Sequence, residues 1–188
     1  MGRSSAERYD DTRLIKETAQ LVRQAQRLEP RYANGSCPAT TREMAELLRR
    51  STCRVYRLKS RPRAKALTIP PIAGEYAIGI RADLSWSEHA FALRHELAHV
   101  LAGDVEEPVR MVDRGYLTQA ERYADLFALA DLVPRAYLDS LRRLRIPWGE
   151  IRADIEQQIR ELWGPDWPLA RIDDRARLRL RLYRECRI

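Results

Sequence analysis

With 188 residues, 45% of them hydrophobic, and a formal charge of +7, the chain has the length of one domain and the apolar content for a real core. No apolar run is long enough to span a bilayer, and the polar stretch 1–11 lacks the apolar segment of a secretory signal, so a cytoplasmic protein with no membrane partner is expected. Cys37, Cys53 and Cys186 are an odd set without C-x-x-C spacing and read as free thiols; the many arginines alternate with acids, which favours an ion-paired surface over a nucleic-acid interface.

The first predicted element is a helix over residues 12–28, where Leu14, Leu21, Val22, Ala25 and Leu28 recur at helical spacing. Thr40-Thr41-Arg42-Glu43 has the capping-box pattern and opens a short helix with Met44, Leu47 and Leu48 toward a core. Between Arg54 and Arg81 the apolar period becomes that of strands. Residues 54–58, 66–69 (stopped by Pro70-Pro71) and 76–80 (after a turn at Gly74) predict a small, largely antiparallel three-stranded sheet. The third strand, Tyr76, Ala77, Ile78, Gly79 and Ile80, directly precedes the next helix. It is the candidate sheet edge to which an extended peptide would add by backbone hydrogen bonds, with Gly79 admitting a second backbone; an ordinary core strand is the competing reading.

Ser85-Trp86-Ser87-Glu88 is a second capping box, and it opens the apolar run 91–103 that contains His95-Glu96-Leu97-Ala98-His99. Residues four apart on a helix lie about 40° apart around the axis, so His95 and His99 project side by side. Two imidazoles in that geometry are half of a tetrahedral zinc site. Glu96 lies about 100° round from His95, beside an ion rather than on it, where a general base takes a proton from zinc-bound water. The chain has three histidines, and two are in this motif. The third, His89, falls about 240° round from His95 and cannot share the ion. Gly103 is placed to close the helix.

No histidine follows His99, which excludes a metzincin-type third ligand. A carboxylate or a cysteine must take that place. In a helix predicted from residue 118, Glu121 and Asp125 share one face. Glu121 is the favoured ligand, and Asp125 is suited to accept the ring N–H of a ligand histidine. Glu106 and Glu107, on the preceding loop, are rivals to Glu121. Tyr116 and Tyr123 are candidate donors to a tetrahedral oxyanion, and spacing does not choose between them.

The run 91–103 followed by Glu121-x-x-Ala124-Asp125-x-Phe127-Ala128 and by Leu132-Val133-Pro134 resembles the ImmA/IrrE family of zinc metallopeptidases over roughly residues 41–134. The second block is the more specific part, and the family commonly has glycine where Ala98 stands. The resemblance implies Zn2+ held by His95, His99 and Glu121, Glu96 as general base, and a small sheet over the metal helix. It also implies a substrate among helix-turn-helix repressors, cut to derepress genes of a mobile element or a stress response.

Beyond Pro134, helices are predicted over 136–144, 148–163 and 173–187. The last carries Arg175, Arg177, Arg179, Arg181 and Arg184, read as a solvated face in preference to a grip on nucleic acid. The expectation is therefore an α+β fold, with a metallopeptidase domain over 1–134 and a helical extension over 135–188 packed on it. The alternative is a non-catalytic antirepressor, or a DNA- or protein-binding regulator, with a structural zinc. That would need a fourth protein ligand such as Cys37 or a loop acid.

Overall fold

The computed structural model describes residues 5–59, 64–103, 119–163 and 168–188, with side chains from residue 10. In chain order its elements are α1 (Ser5–Leu28), α2 (Thr41–Arg50), β1 (Cys53–Leu58), β2 (Ala66–Ile72), β3 (Glu75–Arg81), α3 (Trp86–Ala102), α4 (Gln119–Leu132), α5 (Arg135–Arg143), α6 (Trp148–Trp163) and α7 (Leu169–Cys186). The fold is α+β, as expected. Both capping boxes form. Thr40 and Glu43 bond each other's backbone N–H at the start of α2, and Ser85 and Glu88 do the same at the start of α3. Gly103 ends α3 in the left-handed region (φ 68°), and its N–H reaches the carbonyls of His99 and Val100. The helix that carries both motif histidines is thus fixed at each end by local chemistry. No helix of the described residues is long and apolar enough to cross a membrane.

The sheet departs from expectation in two ways. Its order is β1-β3-β2, with β1 parallel and β2 antiparallel to β3, so it is mixed rather than largely antiparallel. Tyr76, Ala77, Ile78, Gly79 and Ile80 form the central strand, not an edge: Tyr76 pairs with Cys53, Ile78 with both Val55 and Thr68, and Ile80 with Arg57 and Ala66. Burial explains the order. Ile78 and Ile80 are fully buried, whereas most of β1 is exposed, so the most deeply buried strand takes the centre although it comes last in the chain. Gly79 admits a side chain rather than an incoming backbone. A Cβ there would stand 3.0 Å from a Leu58 methyl. β2 and β3 are joined through Ala73 (φ 53°) and Gly74 (φ 83°), the two positive φ angles of a tight hairpin turn. β2 also runs through Pro70-Pro71 instead of stopping there. A register shift between Ile69 and Ile72 and its position at the sheet edge accommodate two residues that lack an N–H.

α4 lies at the centre of the helical layer, with every residue from Tyr123 to Leu132 buried. One apolar cluster runs from Leu14 on α1 through Leu97 on α3 and Phe127 on α4 to Leu178 and Leu182 on α7. The arginine run on α7 is not a solvated face. Arg175 and Arg179 are among the largest fully buried side chains of the described residues. Arg179 gives hydrogen bonds to the carbonyls of Leu129 and Val133 at the end of α4, where carbonyls run out of helical partners, and to the Ile188 oxygen; Leu129 also accepts the Val133 N–H. Arg184 lies over the Trp148 ring. The interleaved charges gave no hint of this, because a buried arginine differs from an exposed one only through distant partners.

A second buried charge ties α3 to α4. Arg94 Nε donates to Asp131 Oδ2 at 2.7 Å, with the two side chains 4% and 0% exposed. Asp131 also accepts from the backbone N–H groups of Ala33 and Ala39, and Arg94 donates to the carbonyls of Ala39 and Ala90. Removing one partner would leave the other charged and buried, at a cost of about 3–5 kcal/mol. Asp131→Ala should therefore lower unfolding free energy by about that amount, read as a reduced urea midpoint. A loss below about 1 kcal/mol would mean that the surrounding backbone satisfies Arg94 without it.

Candidate metal centre

α3 and α4 bring three donors to one point. His95 Nε2 lies 3.3 Å from His99 Nε2 and 3.2 Å from Glu121 Oε2, and His99 Nε2 lies 3.6 Å from Glu121 Oε1. Ligand atoms about 2.0–2.1 Å from a tetrahedral ion stand about 3.3 Å from one another; the His95–His99 and His95–Glu121 separations lie near that spacing, and His99 is nearer the other Glu121 oxygen. One ligand atom from each of the three side chains falls within 4.8 Å of the others, and no fourth His, Cys, Asp or Glu of the described residues joins them. These three residues could hold a metal ion. His89 stands apart, as its place on the helix requires. Glu106, Glu107 and Tyr116 lie outside the described residues.

Asp125 meets the His95 ring, the contact its spacing suggested. It is 1% exposed, and its Oδ1 accepts from His95 Nδ1 at 3.0 Å. With one proton held on Nδ1 by Asp125, Nε2 is the nitrogen that faces His99 and Glu121 and that offers a lone pair to an ion once its own proton has left. Its other oxygen accepts from Arg175 Nε of α7 at 2.8 Å, and Arg171 approaches the same atom at 3.6 Å. Burial would raise the Asp125 carboxyl, but the Arg175 charge and the His95 hydrogen bond hold it below the usual carboxylate range. Burial opposes a charge on His95 as well, yet its hydrogen bonds to Asp125 and Glu121 push the metal-free imidazole up to about 10. The same contact with His95 holds the Glu121 carboxyl down.

Glu96 is not part of the donor triad. Its Oε2 accepts from the Thr68 hydroxyl at 2.7 Å, and that hydroxyl also lies 3.3 Å from the Glu96 carbonyl. Thr68 is a 6% exposed side chain on β2, so the sheet holds the carboxylate beside the histidine pair. Sequence reasoning missed Thr68. Its only signal was a hydroxyl on the inner face of a strand, and nothing local connects it to a glutamate 28 positions on. Arg171 and Arg175 were missed for the same reason. Tyr123 is buried with its ring 6.1 Å from that of His99, and its hydroxyl has no hydrogen-bond partner among the described residues.

No family model, no curated protein and no solved structure matches this chain. A metal ion must displace a proton from His95, since both compete for its Nε2-side lone pair. Metal affinity should rise with pH, about tenfold per unit from the ordinary histidine range toward 10, where the metal-free imidazole loses its proton. Chelator competition at several pH values checks this, and a flat profile would show that His95 carries no displaceable proton.

Proposed function

We propose that the chain is a zinc-dependent endopeptidase. The observation that carries this reading is a carboxylate, Glu96, held beside a two-histidine, one-glutamate donor set without belonging to it. A structural zinc site is closed by four protein ligands, whereas a catalytic one keeps a position open. The described residues offer three ligands, and a glutamate anchored next to them has no purpose in a closed site. The nitrogen–oxygen donor set suits Zn2+.

When bound, the ion would polarise a peptide carbonyl and acidify a water molecule. Glu96 is the base. Thr68 occupies its Oε2, so Oε1 takes the proton and passes it to the leaving amine. Asp125 keeps His95 turned with Nε2 forward. The outer edge of β2 replaces β3 as the strand along which the substrate chain is laid, because β2 ends the sheet and carries Thr68. Tyr123 is the available oxyanion donor, having a buried hydroxyl without a partner among the described residues. The resemblance to the ImmA/IrrE family supports a cytoplasmic helix-turn-helix repressor as the substrate.

Incubation with helix-turn-helix repressors encoded near the gene tests the reading. Glu96→Gln should keep one zinc per chain by elemental analysis and lose cleavage by about 10²–10⁴-fold. Thr68→Val should fold normally and cut about tenfold more slowly, the worth of one hydrogen bond to a charged group. Cleavage at the parent rate in Glu96→Gln would remove Glu96 as the base. Zinc uptake with repressor binding and no cutting would favour the antirepressor alternative.

A further inference from the structure

α7 reaches the back of the metal centre through one side chain. Arg175 is 2% exposed and spans two carboxylates, with Nε on Asp125 Oδ2 at 2.8 Å and Nη1 on Asp174 Oδ2 at 2.7 Å. Asp174 is held in turn by Arg177 at 2.8 Å, and Arg177 reaches Asp11 of α1 at 3.0 Å. The oxygen of Asp125 that Arg175 leaves free receives the His95 N–H. A carboxylate with both oxygens engaged from opposite sides cannot rotate, and the imidazole hydrogen-bonded to it cannot rotate either. We infer that Arg175 is a positioning residue of the metal centre, acting through Asp125 on the orientation of His95. The metal affinity of the α3–α4 pair is therefore set by a helix 50 residues further along the chain. This rests on the metal-binding reading above and adds a residue to it.

A purely structural role for Arg175 is the competing account, and α7 supplies its control. Arg179, four residues on, is as deeply buried and also meets α4, but through the carbonyls of Leu129 and Val133 and not through Asp125. Charge alone predicts the opposite sign from positioning: deleting a cation near a bound cation tightens binding. A weakened site therefore reports loss of the Asp125–His95 contact that Arg175 holds charged and in place, and not relief of repulsion.

The test is zinc affinity of the full chain by chelator competition at fixed pH and ionic strength, with the absorption spectrum of the Co2+-loaded protein as a second readout. Arg175→Met should weaken zinc binding about ten- to hundredfold and shift the Co2+ bands, as loss of a group behind a metal ligand does. Arg175→Lys, which can still reach Asp125, should bind zinc as the parent does, within less than about twofold. Arg179→Met should lower the melting temperature while leaving affinity and spectrum at parent values. If Arg175→Met does not fold, Arg171→Met decides. Its side chain is 29% exposed and sits 3.6 Å from the same oxygen, so a smaller weakening of about threefold is expected. Unchanged or tighter binding in Arg175→Met, or in Arg171→Met where it stands in, would overturn the inference. So would equal weakening in Arg179→Met. A parent chain that takes up no zinc would instead bring down the metal reading itself.

Discussion

A carboxylate removed from water keeps its charge only if cations or donors surround it. Asp125 is such a group, and much of the helical packing follows from satisfying it. His95 approaches from α3 and Arg175 from α7, so α4 is held between two helices by one side chain. Arg94 and Asp131 repeat the device between the same α3 and α4, one residue before His95 and six after Asp125. Buried ion pairs add little net stability over apolar contacts, but they penalise misalignment heavily. Sliding α3 along α4 by one turn, about 5.4 Å, would break both pairs. The register that brings His95 and His99 to Glu121 is thus fixed by charges outside the donor set.

How much of this could be read from the sequence depended on distance along the chain. The two capping boxes, the glycine at the end of α3 and the side-by-side histidines are local patterns, and all of them formed where they were read. Glu121 and Asp125 were legible as a pair because they stand one turn apart on one helix, and both meet His95. Strand order was not legible, since it depends on which strand must bury Ile78 and Ile80 and not on succession in the chain. Thr68 with Glu96, and Arg175 with Asp125, are pairings across 28 and 50 positions, and no local pattern announces them. The arginines of α7 misled for a related reason. Arginine alternating with apolar residues looks like a surface, until carbonyls and carboxylates on other helices claim the guanidinium groups.

The positive charge of the chain takes on a different meaning in this light. On α7, Arg175 engages carboxylates, Arg179 engages carbonyls, and Arg177 and Arg181 both approach Asp11. These groups join α1, α4 and α7 in an ionic seam beside the apolar cluster. Arginine suits such work because its planar group carries five donors and stays charged when buried. A net excess of basic residues is therefore compatible with an interior that uses many of them.

The paired prolines of β2 have an effect on assembly. An open strand edge invites other chains to stack on it, and proteins commonly blunt such edges. Pro70 and Pro71 interrupt the row of amide hydrogens after Ile69, and the shifted register there bends the strand. Pairing along β2 can begin near Thr68 but cannot propagate past Ile69. A short segment can be received at that edge, while the growth of fibrils from it is stopped within a few residues.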